Sequence, residues 1–193
     1  MKVKDNKGFT LVELVIVIAI SAVLLGAIFY SYTLLVGQYA RECANNLSTS
    51  LEKEKNYALT KSASVDCYME VVRTSGGYVA KYYVPKNAIA TGSSTSDWEL
   101  AEELKLGIKR VDIICSISGG TSSELKVDDT HSIKFIYNRT SGAMKGIVPS
   151  DGSTVGLPTS ITEKCSEINI IDGRKYKIQI YTETGKHVLS RES

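Results

Sequence analysis

Lys7-Gly8-Phe9-Thr10-Leu11-Val12-Glu13-Leu14-Val15-Ile16-Val17-Ile18-Ala19-Ile20-Ser21-Ala22-Val23-Leu24-Leu25-Gly26-Ala27-Ile28-Phe29 decides how the rest of the chain is read. No residue between Glu13 and Arg41 is charged. A helix crosses the hydrocarbon of a bilayer with roughly 20 apolar residues, and the stretch 9–29 has that length. Lys2, Lys4 and Lys7 stand before it. By the positive-inside rule these lysines place the N-terminus in the cytoplasm and everything after Arg41 outside. A secretory signal peptide also starts basic and turns apolar, but its apolar run is shorter and ends at a small-residue cleavage site. Here the apolar run continues into a helical pattern instead. A plain single-pass anchor fits the length and leaves Glu13 unexplained. An acid among Phe9, Leu11, Val12 and Leu14 costs on the order of a few kcal/mol in hydrocarbon, so it implies a partner and a role.

Lys7 to Leu14, followed by the unbroken apolar helix, resembles the prepilin signal of type IV pilins and type II secretion pseudopilins. The resemblance implies a leader of residues 1–8, cut after Gly8 by a membrane-embedded prepilin peptidase. It implies Phe9 as the new, N-methylated first residue and Glu13 as the acid that guides assembly. It also implies partners: other pilin subunits, the prepilin peptidase, an inner-membrane assembly platform, and membrane lipid before assembly. The physics of each role is simple. Gly8 has no side chain, so the chain can lie extended in a protease cleft. Cleavage creates an amine at Phe9, and Glu13 supplies the opposite charge where water is excluded. The two lie four residues apart, within reach on one helix face.

Beyond the apolar run the periodicity stays helical. Val36, Tyr39/Ala40, Cys43/Ala44, Leu47, Leu51 and Ala58 recur at mostly four-residue steps, with Asn45, Glu52, Lys53 and Lys55 between them. That is one apolar stripe on an otherwise wet helix, a face that docks on a globular domain. No proline precedes Pro85, so the expectation is one helix from Phe9 to about Leu59, divided into a membrane or filament-core half (9–37) and an amphipathic half (38–60). A β-rich head, 61–193, follows.

In the head, Val65, Cys67, Met69 and Val71 alternate with polar neighbours, and Gly76-Gly77 turns the chain into Tyr78–Val84. Val111 to Ile117 alternates up to Gly119-Gly120, and Ile133, Phe135 and Tyr137 alternate up to a turn at Ser141-Gly142. Ile168 and Ile170 lead through Asp172-Gly173 to Tyr176, Ile178 and Ile180. Asp-Gly between alternating strands is among the strongest short hairpin signals. Ser96-Asp97-Trp98-Glu99 reads as a capping box opening a short helix through Leu104. Residues 140–162 are rich in Gly, Ser, Thr and Pro and read as a long surface loop. The fold class expected is α+β, a long N-terminal helix packed on an antiparallel sheet domain. Ile133-Lys134-Phe135, the Gly142 turn, and the run from Ile168-Asn169-Ile170 through Gly173-Arg174 to Thr184-Gly185-Lys186 resemble the H-type minor pseudopilins and related minor pilins.

The chain has 193 residues, 43% hydrophobic and 23% charged, enough for one domain with a modest core. Losing residues 1–8 removes three positive charges and one negative from a net of +2, leaving zero. A neutral chain gives no general electrostatic reason to bind nucleic acid. Lys186, His187 and Arg191 are diluted by Glu183 and Glu192 and read as a solvated tail. Two histidines, His131 and His187, and no Cys-x-x-Cys argue against a metal site. No nucleophile motif or phosphate loop suggests catalysis or a cofactor. Cys43, Cys67, Cys115 and Cys165 permit two disulfides in three pairings, or four buried thiols. Two functions from different classes remain: a minor pilin or pseudopilin of a pilus, competence or secretion filament, and a membrane-anchored binding domain that never assembles.

Overall fold

The structure is a computed structural model that describes residues 10–35, 37–61, 66–86, 98–118, 124–158 and 160–192. The fold is α+β, two helices followed by antiparallel sheets, and the chain divides into two units between residues 36 and 37. The first unit contains α1 (Leu11–Leu35), roughly 37 Å long at 1.5 Å per residue. Its segment Leu11–Tyr32 is long and apolar enough to cross a membrane, and none of it is buried within the protein.

The second unit opens with α2 (Gln38–Lys61). The single helix expected from Phe9 to Leu59 is therefore interrupted. Gly37 takes φ +82°, the left-handed conformation that commonly stops a helix and that glycine adopts without steric cost. A Cβ there would also lie 2.7 Å from the Arg174 side chain. Searching for proline missed this break, because glycine stops helices by a different route.

Ten strands follow among the described residues: β1 (Tyr68–Thr74), β2 (Gly77–Pro85), β3 (Trp98–Gly107), β4 (Asp112–Ser118), β5 (Glu124–Lys126), β6 (Ser132–Tyr137), β7 (Met144–Ser150), β8 (Lys164–Asp172), β9 (Arg174–Tyr181) and β10 (Lys186–Arg191). They form two five-stranded sheets, ordered β3-β2-β1-β6-β7 and β10-β9-β8-β4-β5. The β1–β2 hairpin holds Met69 opposite Tyr82 and Val71 opposite Ala80. The β8–β9 hairpin holds Ile168 opposite Ile178, turning at Gly173 with φ +69°. Both hairpins were expected from alternation and turn residues.

Three expectations are corrected. Trp98 to Gly107 is strand β3 rather than a short helix; Ser96 and Asp97 lie outside the described residues. A helix of so few residues is marginal in water, whereas pairing along β2 satisfies the backbone groups on one side of the segment and leaves the other side to water. Trp98 anchors its start, buried and donating Nε1–H to the Asp66 carbonyl at 3.0 Å. Within the expected loop 140–162, residues Met144–Ser150 form β7 against β6. Pro149 is tolerated because β7 is an edge strand, where a missing N–H costs no ladder bond. The expected solvated tail is β10, with His187 paired to Ile180 and Leu189 to Ile178. Val65 and Gly119-Gly120 lie outside the described residues.

The core lies where α2 meets both sheets. Ala40, Cys43, Ala44, Leu47, Leu51 and Ala58 are all buried, and pack with Met69, Tyr82, Phe135, Ile168, Ile178 and their neighbours in one apolar cluster. Tyr39 of the expected stripe instead faces solvent, 45% exposed. A second, smaller cluster of Tyr68, Trp98 and Ile136 has Tyr83, Val148, Leu157 and Ile161 packed against it. The segment after β7 is held there by bonds from Lys134 Nζ to the Gly156 carbonyl (3.0 Å) and from the Gly156 N–H to the Tyr68 hydroxyl (2.9 Å).

Candidate processing and assembly site

Thr10 and Glu13 set the start of α1. The Thr10 N–H and the Thr10 hydroxyl both donate to Glu13 Oε2 at 2.9 Å, and the Glu13 N–H donates to Thr10 Oγ1 at 3.2 Å. This is a capping box: each side chain satisfies a backbone donor that the first helical turn leaves without a partner. The carboxylate also sits at the positive end of the helix dipole. The signal for this role was present as Thr10-x-x-Glu13, and charge reasoning alone passed over it. Gly8 and Phe9 lie outside the described residues.

From Leu11 onward the helix presents apolar side chains on every side. Leu11, Val12, Ile18, Val23, Ile28 and Phe29 are all exposed, Leu11 by 78% and Phe29 by 68%. A helix that is apolar all round is stable only when surrounded by hydrocarbon or by other apolar helices. The Ser31 hydroxyl bonds locally, donating to the Ala27 carbonyl at 2.9 Å.

Residues 3–29 match the family model described as the prokaryotic N-terminal methylation motif. No curated protein and no solved structure matches the chain. The motif supports a type IV pilin-like chain that is processed at its N-terminus and associates with other pilin subunits. Motif and apolar helix together fit a membrane-anchored, single-pass protein. The match ends at residue 29, so the head is understood from its own packing.

The four cysteines are all buried thiols of the second unit. Cys43 packs against Gly107, where an added Cβ would lie 2.8 Å from the Cys43 Cβ. Burial pushes its thiol up to about 12. Cys67 points toward the Tyr57 carbonyl at 3.9 Å. Cys115 and Cys165 are brought together on the neighbouring strands β4 and β8, and the bond to Cys165 together with burial holds the Cys115 thiol well above its usual range. Thiolates are the reactive form, so groups held this way are poor nucleophiles. Among the described residues no group of three or more His, Cys, Asp or Glu side chains could hold a metal ion.

Proposed function

We propose that the chain is a structural subunit, a minor pilin or pseudopilin, of a type IV pilus, competence pilus or type II secretion filament. It enters the cytoplasmic membrane with its N-terminus inside and its head outside. Prepilin peptidase cuts between Gly8 and Phe9, Phe9 is methylated, and an inner-membrane platform feeds the subunit into the filament. The observation that carries this reading is the methylation motif joined without interruption to a helix that is apolar on every side. Such a helix exchanges lipid for the helices of neighbouring subunits at little cost, since the two surroundings are equally apolar. Glu13 then neutralises a Phe9 amine, its own or a neighbour's. The head follows the H-type minor pseudopilins in the motifs of its second half. It has no enzymatic role in this reading.

The test is co-expression with a prepilin peptidase, followed by mass spectrometry of the recovered protein. The expected product begins with N-methyl-Phe9. An intact Met1 terminus under those conditions would overturn the proposal.

A further inference from the structure

Glu54 occupies a core position. It lies on the buried side of α2, between Leu51 and Ala58, with no exposed surface at all. Among the described residues, no group hydrogen-bonds either of its carboxyl oxygens. The flanking lysines are directed elsewhere: Lys53 pairs with Glu102, and the Lys55 chain runs against Gly142. The elements packed on α2 turn these titratable groups toward it: Tyr82 of β2, Glu102 of β3, Tyr137 of β6, Cys165 of β8, Tyr176 of β9 and His187 of β10. β1 contributes the apolar Met69 and Val71. None of them forms an ion pair with Glu54. The Tyr82 hydroxyl donates to the Ser50 carbonyl at 3.3 Å. The Tyr137 hydroxyl, buried and near enough to Glu54 to be disfavoured as an anion if that carboxyl ionised, has no hydrogen-bond partner among the described residues either.

A carboxylate in such a place would be a lone charge in an apolar interior, and the group escapes that cost by keeping its proton. Burial accordingly holds the Glu54 carboxyl well above the usual carboxylate range. We propose that Glu54 makes the docking of α2 on the two sheets a proton-sensitive joint, which holds while the carboxyl is neutral and loosens when it ionises. The direction follows from linkage. The folded state binds the proton more tightly than the unfolded chain, whose Glu titrates near 4.5. The stabilisation is complete below that value and is lost as pH rises toward the folded value. Over that window one proton is released on unfolding, so the unfolding equilibrium shifts about tenfold toward the unfolded state per pH unit.

The experiment uses the full chain in detergent micelles and compares wild type with Glu54→Gln, which has the shape of the neutral acid and cannot ionise. Guanidinium unfolding is followed by Trp98 fluorescence from about pH 5 upward, and the two unfolding constants should diverge by up to about tenfold per pH unit until the folded carboxyl ionises. Glu54→Gln becomes the more stable protein as pH rises. Hydrogen exchange, corrected for intrinsic base catalysis, should show the amides from Leu47 to Ala58 opening earliest in wild type at the alkaline end, and this should vanish in the variant. Parallel pH profiles would overturn the proposal, because they mean the carboxyl ionises as readily in the fold as outside it. So would exchange that rises equally in α2 and the sheets. If Glu54→Gln does not fold, Glu54→Met serves in the same comparison; failure of both where wild type folds shows that the carboxylate is required, and likewise overturns it.

Discussion

Thr10 and Glu13 cap one another at the start of α1, so replacing Glu13 by Ala removes two things at once: a negative charge and a helix cap. Thr10 still accepts the residue-13 N–H, so losing the Glu13 half of the box costs no more than the roughly 1 kcal/mol of losing an N-cap. Losing the partner of a buried amine costs more, about 3–5 kcal/mol. Glutamine separates them, because it can still reach back to the Thr10 N–H at this position of a capping box but carries no charge. If Glu13 works through charge, Glu13→Gln and Glu13→Ala should be lost from filaments alike, compared with wild type at equal membrane abundance. If it works as a cap, Glu13→Gln should be incorporated like wild type while Glu13→Ala is not; if the protein is only an anchor, wild type itself should be absent from filaments. Glu13 was legible in the sequence because an acid in an apolar run is conspicuous. Glu54 was not, because an acid beside Glu52, Lys53 and Lys55 reads as part of a solvated face. Helical spacing does set residue 54 on the face of Leu51 and Ala58, but its charge argues for water, and the packing of α2 on two sheets at once is what shows it enclosed.

Among the elements, α2 bears the most weight, since its buried stripe is the part of the core shared by both sheets. Leu47, 0% exposed, sits mid-stripe. Leu47→Ala should therefore cost about 2–5 kcal/mol, read as a lower denaturant midpoint with an unchanged slope. An unaltered midpoint would mean that α2 is not docked as described. That stripe was readable because helical periodicity repeats over six turns. The β1–β2 and β8–β9 hairpins were readable because their turns carry Gly76-Gly77 and Asp172-Gly173 between alternating strands. β3, β7 and β10 were misread for one physical reason: each is an edge strand. An edge faces water along one side, so it admits the Glu-rich run of β3, the Pro149 of β7 and the basic end of β10. Local composition then points away from a strand, and the pairing that overrides it lies far off in sequence. The division into two sheets was invisible for the same reason, since alternation gives a strand its faces and not its neighbours.

At the scale of the whole molecule, the two units have opposite solvent requirements. The first is apolar on all sides and buries none of its membrane-length segment. The second, Gly37–Ser193, encloses its own core and draws its stripe from α2 alone. Among the described residues, none of α1 belongs to either apolar cluster. Folding of the head should thus be independent of the membrane helix. A fragment beginning at Gln38 should be soluble and monomeric without detergent, and should unfold in one cooperative transition, as small single domains do. Circular dichroism and fluorescence should then report coincident midpoints. Its N-terminal turn will be frayed, because the first backbone bond of α2, from the Arg41 N–H to the Gly37 carbonyl at 3.1 Å, is lost with Gly37. That loss is local, as Ala40 and Cys43 are still covered by the sheets. Restoring Gly37 should add stability without changing the oligomeric state. Extending the fragment back through α1 should instead make it detergent-dependent and self-associating, because an apolar helix in water buries its surface against copies of itself. A Gln38 fragment that aggregates, or that unfolds without cooperativity, would show that the head needs the first helix after all, and the separation of anchor from head would fall.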